Sequence, residues 1–322
     1  MDVKHFFLFI MTTTTLISIL VNFSFLSTSG LTSPNQALPD LSGIAWVTGD
    51  TFLAIHDAKY PSESAEPRAS LLSLPSQLGG TIITPLNITW PQGESLGSDL
   101  ECVAKIPEVA NTKDTPLFLL GESGDNDRGS KRIFLSELNN NTLIVTNSIP
   151  WPNDIHNVEG CAVTAVDNEL VFVFAERAHG SGVTNIDWAT IFLDPLRFGP
   201  VNSLEYQVPD EQQANFRPVS ALEIDDTGKI FISSAIDPND DAGPFASKVW
   251  LAGHISSPQN STSSPIVLLD SPKPLASLDG LKVEGLASRP TGNGASTEII
   301  IGTDDEFHGG VLRILPQTFG TE

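Results

Sequence analysis

Five segments of this chain share one pattern: an apolar residue, Ser or Glu, a small residue, then two mostly apolar ones. They are Leu41–Ala45, Leu100–Ala104, Val158–Ala162, Val219–Glu223 and Val283–Ala287. Their second residues, Ser42, Glu101, Glu159, Ser220 and Glu284, are spaced by 59, 58, 61 and 64 residues. A period this regular implies one structural unit repeated five times, each burying its apolar face against its neighbours.

Two further families recur with the same period. Phe52–Ile55, Leu117–Leu120, Leu170–Phe174, Ile230–Ile232 and Ile299–Ile301 are short β-branched or aromatic runs, the mark of buried strands. Ser70–Leu74, Arg132–Leu135, Thr190–Leu193, Lys248–Leu251 and Leu312–Leu315 follow them. A weaker fourth strand is expected at Thr81–Ile88, Leu143–Ile149 and Pro265–Leu269. Turn residues such as Asp225-Asp226-Thr227-Gly228 separate the first two strands of a unit. Four short antiparallel strands per unit, five units and no amphipathic helix of useful length describe an all-β, five-bladed β-propeller. The last unit ends soon after Leu315, so residues 31–38 are expected to supply its missing outer strand and close the ring. The expected organisation is an export signal over residues 1–30, or an N-terminal anchor, followed by a single propeller domain over 31–322.

The export reading rests on Lys4, the apolar stretch Phe6–Leu26 and the small residues Ser27 and Ser29. No other stretch is apolar and long enough to span a bilayer. The chain is expected to be secreted or periplasmic. Cys102 and Cys161 are its two cysteines, and the sequence leaves open whether they pair or stay as buried thiols. With 39 acidic against 17 basic residues the formal charge is −22, which argues against nucleic acid or an anionic membrane surface as a partner. Sequons stand at Asn87, Asn140 and Asn260.

In a propeller the first strand of each blade lines the central channel, so equivalent residues meet at one height. Ser42, Glu101, Glu159, Ser220 and Glu284 then form a ring. Three carboxylates crowded in a channel repel unless they are protonated, well hydrated or bound to a cation. An annulus of oxygen ligands suits Ca²⁺; a water-filled polar channel is the other reading. Two places earlier, Asp40, Asp99, Asn157, Pro218 and Lys282 are expected nearer the channel mouth, because strand side chains alternate.

Loops after the second strands open on the same mouth and carry reactive side chains. They are His56–Lys59, Glu122–Arg128, Glu176–His179, Asp237–Asp241 and Asp304–His308. Loops at the opposite end, such as Ser76–Gly80 and Asn139–Thr142, are bland. No Gly-x-Ser-x-Gly elbow, HExxH zinc motif or phosphate-binding Gly-x-x-x-x-Gly-Lys loop is present.

The segments Glu159-Gly-Cys-Ala162 and Glu284-Gly-Leu-Ala287 resemble the repeated Glu-Gly-Leu-Ala of phytase-like (esterase-like) propeller domains. The loops Glu122–Asn126 and Asp304–Glu306 are similar to the acidic loops of those domains. The order Ser, Glu, Glu, Ser, Glu also resembles the calcium ring of soluble calcium-activated apyrases, five-bladed propellers that hydrolyse nucleoside di- and triphosphates. By position, that resemblance implies calcium ligation by Ser42, Glu101, Glu159, Ser220 and Glu284.

Three functions remain open from the sequence. The first is a calcium-dependent hydrolase of phosphate esters or anhydrides acting on a small anionic substrate. Asp57, Glu122 or Glu176 would take a proton from water and Arg177 would counter phosphate charge. Lys59, Arg128, His179, Lys282 and Asp304 would help bind the substrate. The second is a non-enzymatic binding propeller with structural calcium. The third is a calcium-dependent lactonase or esterase using His56, His179 or His308 as base.

Overall fold

The computed structural model describes residues 38–315, apart from 59–66, 75–79, 112, 126–128, 179–181, 210–214, 258–263 and 292–295. The segment expected to be an export signal, residues 31–37, Lys59, Arg128, His179 and the sequon at Asn260 therefore lie outside the described residues.

Five blades surround a central axis. Blade 1 is β1 (Gly43–Thr48), β2 (Thr51–Ile55), β3 (Ala69–Ser73) and β4 (Ile82–Pro85). A short β5 (Asn87–Thr89) leaves it and joins blade 2, which contains β6 (Leu100–Lys105), β7 (Leu117–Glu122), β8 (Arg132–Asn139) and β9 (Thr142–Pro150). Blade 3 is β10 (Val158–Val166), β11 (Glu169–Glu176) and β12 (Val183–Leu193), edged by β13 (Leu196–Phe198) and β14 (Asn202–Gln207). Blade 4 is β15 (Phe216–Ile224), β16 (Lys229–Ile236), β17 (Ala246–Ile255) and the long β18 (Ile266–Asp279). Blade 5 is β19 (Val283–Pro290), β20 (Thr297–Thr303) and β21 (Leu312–Ile314).

Within blades all pairing is antiparallel; β5 against β9 is the one parallel pair among the described strands. The stretch expected as one strand, Thr81–Ile88, is thus two. It breaks at Leu86, where the backbone leaves the blade 1 edge and lies along blade 2. Leu38 forms an isolated antiparallel bridge to Gly310 just ahead of β21; the rest of the segment expected as an outer strand lies outside the described residues. Innermost strands β1, β6, β10, β15 and β19 contact one another in a closed circle, β19 returning to β1.

Five apolar layers fill the five spaces between blades. The largest joins blades 3 and 4 through residues such as Val173, Trp188, Phe216 and Ile232; Phe172, Phe174 and Trp151 serve blades 2 and 3. Second strands are buried along nearly their whole length because a neighbouring blade covers each face, which explains their unbroken apolar runs. Each large side chain fully removed from water contributes about 1.5–3 kcal/mol, before the entropy of ordering is counted.

The small third residue of the repeat has a structural cause. Inner strands converge, and a Cβ on Gly160 would lie 2.7 Å from the backbone nitrogen of Leu222 in the next blade. Gly285 faces Ile44 of blade 1 in the same way, and Gly43 faces Val103 of blade 2. Between blades 2 and 3 the equivalent contact is covalent. Cys102 and Cys161 form a disulfide, with Cα atoms 5.6 Å apart.

Candidate functional site

The ring is built by irregularities in the ladder. Leu100 pairs with Glu122 and Cys102 with Gly121, so Glu101 is an extra residue facing no partner of its own. Glu159 occupies the same position between Val158 and Gly160, and Glu284 between Val283 and Gly285. Ser42 joins this pattern, because its N–H and the pairing of Gly43 both fall on Ile55. Each is a β-bulge, which turns a side chain away from the regular alternation, here toward the axis.

Donor oxygens of Glu101, Glu159 and Glu284 lie within 4.8 Å of one another, and all three residues are at most 6% exposed. They surround an axial cavity of ≈10 Å³, which is room for one water-sized occupant. The Ser42 hydroxyl is buried with no hydrogen-bond partner, while Ser220 Oγ donates to the carbonyl of Val283 at 2.7 Å.

In blade 4 the bulge is longer, running from Arg217 to Ala221. It changes which residue reaches the channel. Two-residue alternation predicts Pro218; the structure places Arg217 there instead. Arg217 donates to Glu284 Oε1 at 3.0 Å and to Asp237, and lies 4.0 Å from Glu159. Burial disfavours its charge, but Glu159, Glu284 and Asp237 together outweigh that and hold the guanidinium charged.

Lys282 stands at the mouth side of the ring as expected. Its ammonium is 3.4 Å from Glu284, 3.1 Å from Asp304 and 2.5 Å from Glu306. Burial opposes this charge too, and the surrounding carboxylates again override it. Arg177 donates to Glu159 at 3.3 Å and lies 3.7 Å from Asp125. Burial raises Asp304 to about 6 and Asp40 to about 7, so both sit well above ordinary carboxylates. Glu284 is raised as well, chiefly by burial, against the opposing pull of Lys282 and Arg217.

The other expected residues divide by what they touch. Asp57 joins Asp99 and Glu101 in a second group of close carboxylates. Glu176 accepts from the N–H of His156 with Oε1 and remains half-buried at the mouth. Glu122 is different. It is fully buried and accepts from the side chain and N–H of Arg132, the N–H of Ser98 and the hydroxyl of Ser130. Those bonds make it a brace for the loops and leave it poorly placed to take a proton from water. His56 is also enclosed. Nδ1 donates to the Asp40 carbonyl, so Nε2 accepts from Ser70, and burial keeps the ring neutral.

No protein-family model matches the sequence, and no curated protein matches it either. Among solved structures the chain is similar to a thermostable family-43 glycoside hydrolase, with a TM-score of 0.52, 11% identity and coverage of 88% of this chain and 92% of that one. It is also similar to an exo-1,5-α-L-arabinanase from a bovine ruminal metagenomic library, with a TM-score of 0.50, 10% identity and coverage of 88% and 95%. An α-L-arabinofuranosidase from Lactobacillus brevis gives a TM-score of 0.50, 10% identity and coverage of 89% and 94%. The likeness is one of fold. These three neighbours are glycoside hydrolase propellers, not the phytase-like or apyrase-like domains that the short motifs resemble.

The opposite end of the channel was read as bland from its loops, yet it holds a cavity of ≈560 Å³. Strand ends line it rather than loops. One residue breaks the repeat there: Ala45, Ala104, Ala162 and Ala287 are equivalent, and blade 4 has Glu223. Glu223 Oε1 accepts from the N–H of Ser288 at 3.0 Å and its hydroxyl at 2.6 Å, across the blade boundary. Burial pushes this carboxyl up to about 8, further raised by Asp225 and Asp226 and opposed by the Ser288 bonds. A carboxyl raised on folding binds its proton more tightly in the native state. The resulting stability is complete below the ordinary value of 4.5 and is lost as pH rises through about 8. Glu223→Gln is therefore expected to remove a decline in stability across that window, measured as the urea midpoint at stepped pH.

Proposed function

We propose that the ring binds one calcium ion and that the loop-rich mouth above it hydrolyses small phosphate esters or anhydrides outside the cytoplasm. One observation carries this reading: three carboxylates with donor oxygens within 4.8 Å around space for a single ion. Glu101, Glu159 and Glu284 would hold the metal with Ser42 and Ser220, a hard oxygen donor set of the kind calcium takes. Bound there, calcium would supply positive charge to polarise a phosphoryl group or a water.

Residues of the chain would do the rest. Lys282 and Arg177 are held at the mouth by carboxylates and would face the anionic groups of a substrate. Asp57 and Glu176 remain to accept a proton from water. A formal charge of −22 disfavours polyanions, so a small substrate is preferred. The Cys102–Cys161 disulfide supports an oxidising compartment, in keeping with the N-terminal export signal.

A glycosidase at the ring fits less well despite the structural neighbours. Inverting glycosidases separate their two carboxyl groups by roughly 6.5–9.5 Å, with a sugar between them. Here the ring acids converge around ≈10 Å³, where no sugar fits. A second reading, structural calcium without catalysis, is favoured by the ion pairs that already engage Glu159 and Glu284.

The test is calcium titration by calorimetry and thermal melting, with phosphate release from ADP, phytate and an aryl phosphate assayed in parallel. Wild type is expected to gain about 2.7 kcal/mol of stability at a hundredfold excess of calcium over Kd. Glu159→Ala should weaken calcium binding by at least about tenfold, near 1.4 kcal/mol. Full affinity in that variant would overturn the ring assignment. Calcium binding without phosphate release on any substrate would leave the structural reading in place.

A further inference from the structure

We infer that the opposite mouth of the channel is a binding site for a small organic ammonium ion carrying an apolar body. This site is separate from the ring and does not depend on the function proposed for it.

The inference starts from the broken repeat. Four blades end their channel-lining segment with alanine at this height, and three of these, Ala45, Ala104 and Ala162, line the space shared with Glu223. Ser288 anchors one oxygen of that carboxylate, and among the described residues no hydrogen bond engages the other, Oε2, within a half-buried side chain lining a ≈560 Å³ cavity. Asp225 lines the same cavity. It is 3% exposed, and its Oδ1 closes the turn by accepting from Thr227 and Lys229. Its Oδ2 is buried with no hydrogen-bond partner, which is costly unless something else meets it. Asp226 adds a third acid to this wall.

Across the axis the wall carries apolar side chains beside one ion pair, Lys105 with Glu108. Trp46 and Val109 line the cavity, and Val109 is 85% exposed on a short 3-10 turn, Glu108–Ala110. Lys105 is the cation within the lining, but it is occupied. It donates to the Val47 carbonyl at 3.1 Å, lies 3.5 Å from Glu108 and covers the Trp46 ring at 4.6 Å. Arg289 on β19 is likewise engaged, by Glu298 and Asp50. Three acids gathered on the blade 4 wall, with Trp46, Pro107 and Val109 opposite and Glu108 already paired to Lys105, match an amine head with a hydrocarbon body.

Binding has a proton signature. The charged groups that share the cavity with Glu223 are Asp225 and Asp226 from its own strand and turn, with Lys105 and Glu108 from blade 2. An ammonium beside Glu223 favours the ionised carboxylate, so the bound state releases the proton that burial retains up to about 8. Affinity should therefore climb about tenfold per pH unit below that value and level off above it.

Calorimetry of the full chain with phenethylammonium, n-hexylammonium and benzylammonium tests the site, with 2-phenylethanol as the neutral control. The expected result is one site, tighter at higher pH, with proton release near neutrality that differs between buffers of high and low ionisation enthalpy. Glu223→Ala installs the residue of the other four blades and should lower affinity at least about tenfold. Glu223→Gln keeps the Ser288 bonds and should bind weakly with no pH dependence, so it carries the test if the alanine variant fails to fold. The proposal is overturned if none of the three amines binds at about 10 mM, if the alcohol binds as tightly, or if both variants keep wild-type affinity.

Discussion

Arg217→Met is expected to lower stability by about 3–5 kcal/mol, the usual loss when one partner of a buried charge cluster is removed. Methionine fills similar volume, so the effect isolates the charge. Without the guanidinium, Glu159, Glu284 and Asp237 face one another in the channel, with Lys282 and Arg177 the cations left nearby among the described residues. Urea denaturation measures the loss. The same experiment with calcium adds a second expected result. Arg217 Nη1 sits 3.0 Å from Glu284 Oε1, close to where a ring-bound ion would lie, and like charges there repel. Calcium should therefore bind the variant more tightly than wild type and restore much of its stability. A variant as stable as wild type would mean the arginine is not balancing the ring.

Replacing both cysteines with serine should cost about 4 kcal/mol on the chain-entropy account of a loop of this length. The disulfide spans 59 residues, one repeat, and ties β6 to β10 beside two ring carboxylates. Other blade boundaries rely on packing at this point, as Gly160 against Leu222 does. Denaturation with and without reductant reads the difference, and wild type under reductant should approach the double variant. Calcium affinity should fall in step, because Glu101 and Glu159 lose the tether that sets their separation.

How much of this was visible in the sequence follows from where each signal resides. Inner strands were legible because packing against two neighbouring blades imposes a small residue and apolar flanks at fixed places, as in Glu159-Gly160-Cys161 and Glu284-Gly285-Leu286. Outer strands are half-exposed and less constrained, so the break between β4 and β5 left no mark. Arg217 was missed because alternation does not survive a bulge. Its neighbour Pro218 was the available signal, since proline cannot donate to a ladder and marks an irregularity in an inner strand. Glu122 reads as a reactive loop acid, but its partners Arg132, Ser98 and Ser130 meet it through the fold and share no sequence pattern with it. The cavity at the other mouth is lined by strand ends and leaves no mark in the loops, whereas the deviation of Glu223 from four alanines lies inside the repeat itself.

The bulges that carry Glu101, Glu159 and Glu284 have one more consequence. Each acid is an additional residue within a ladder whose neighbours remain in register on both sides. Deleting any one of them would return its strand to plain two-residue pairing and leave the blade's apolar layers where they are. The channel's chemistry is thus an insertion carried by the sheets, separable from what makes them fold. A chain of this design can gain or lose an axial ligand in single-residue steps without rebuilding the propeller around it.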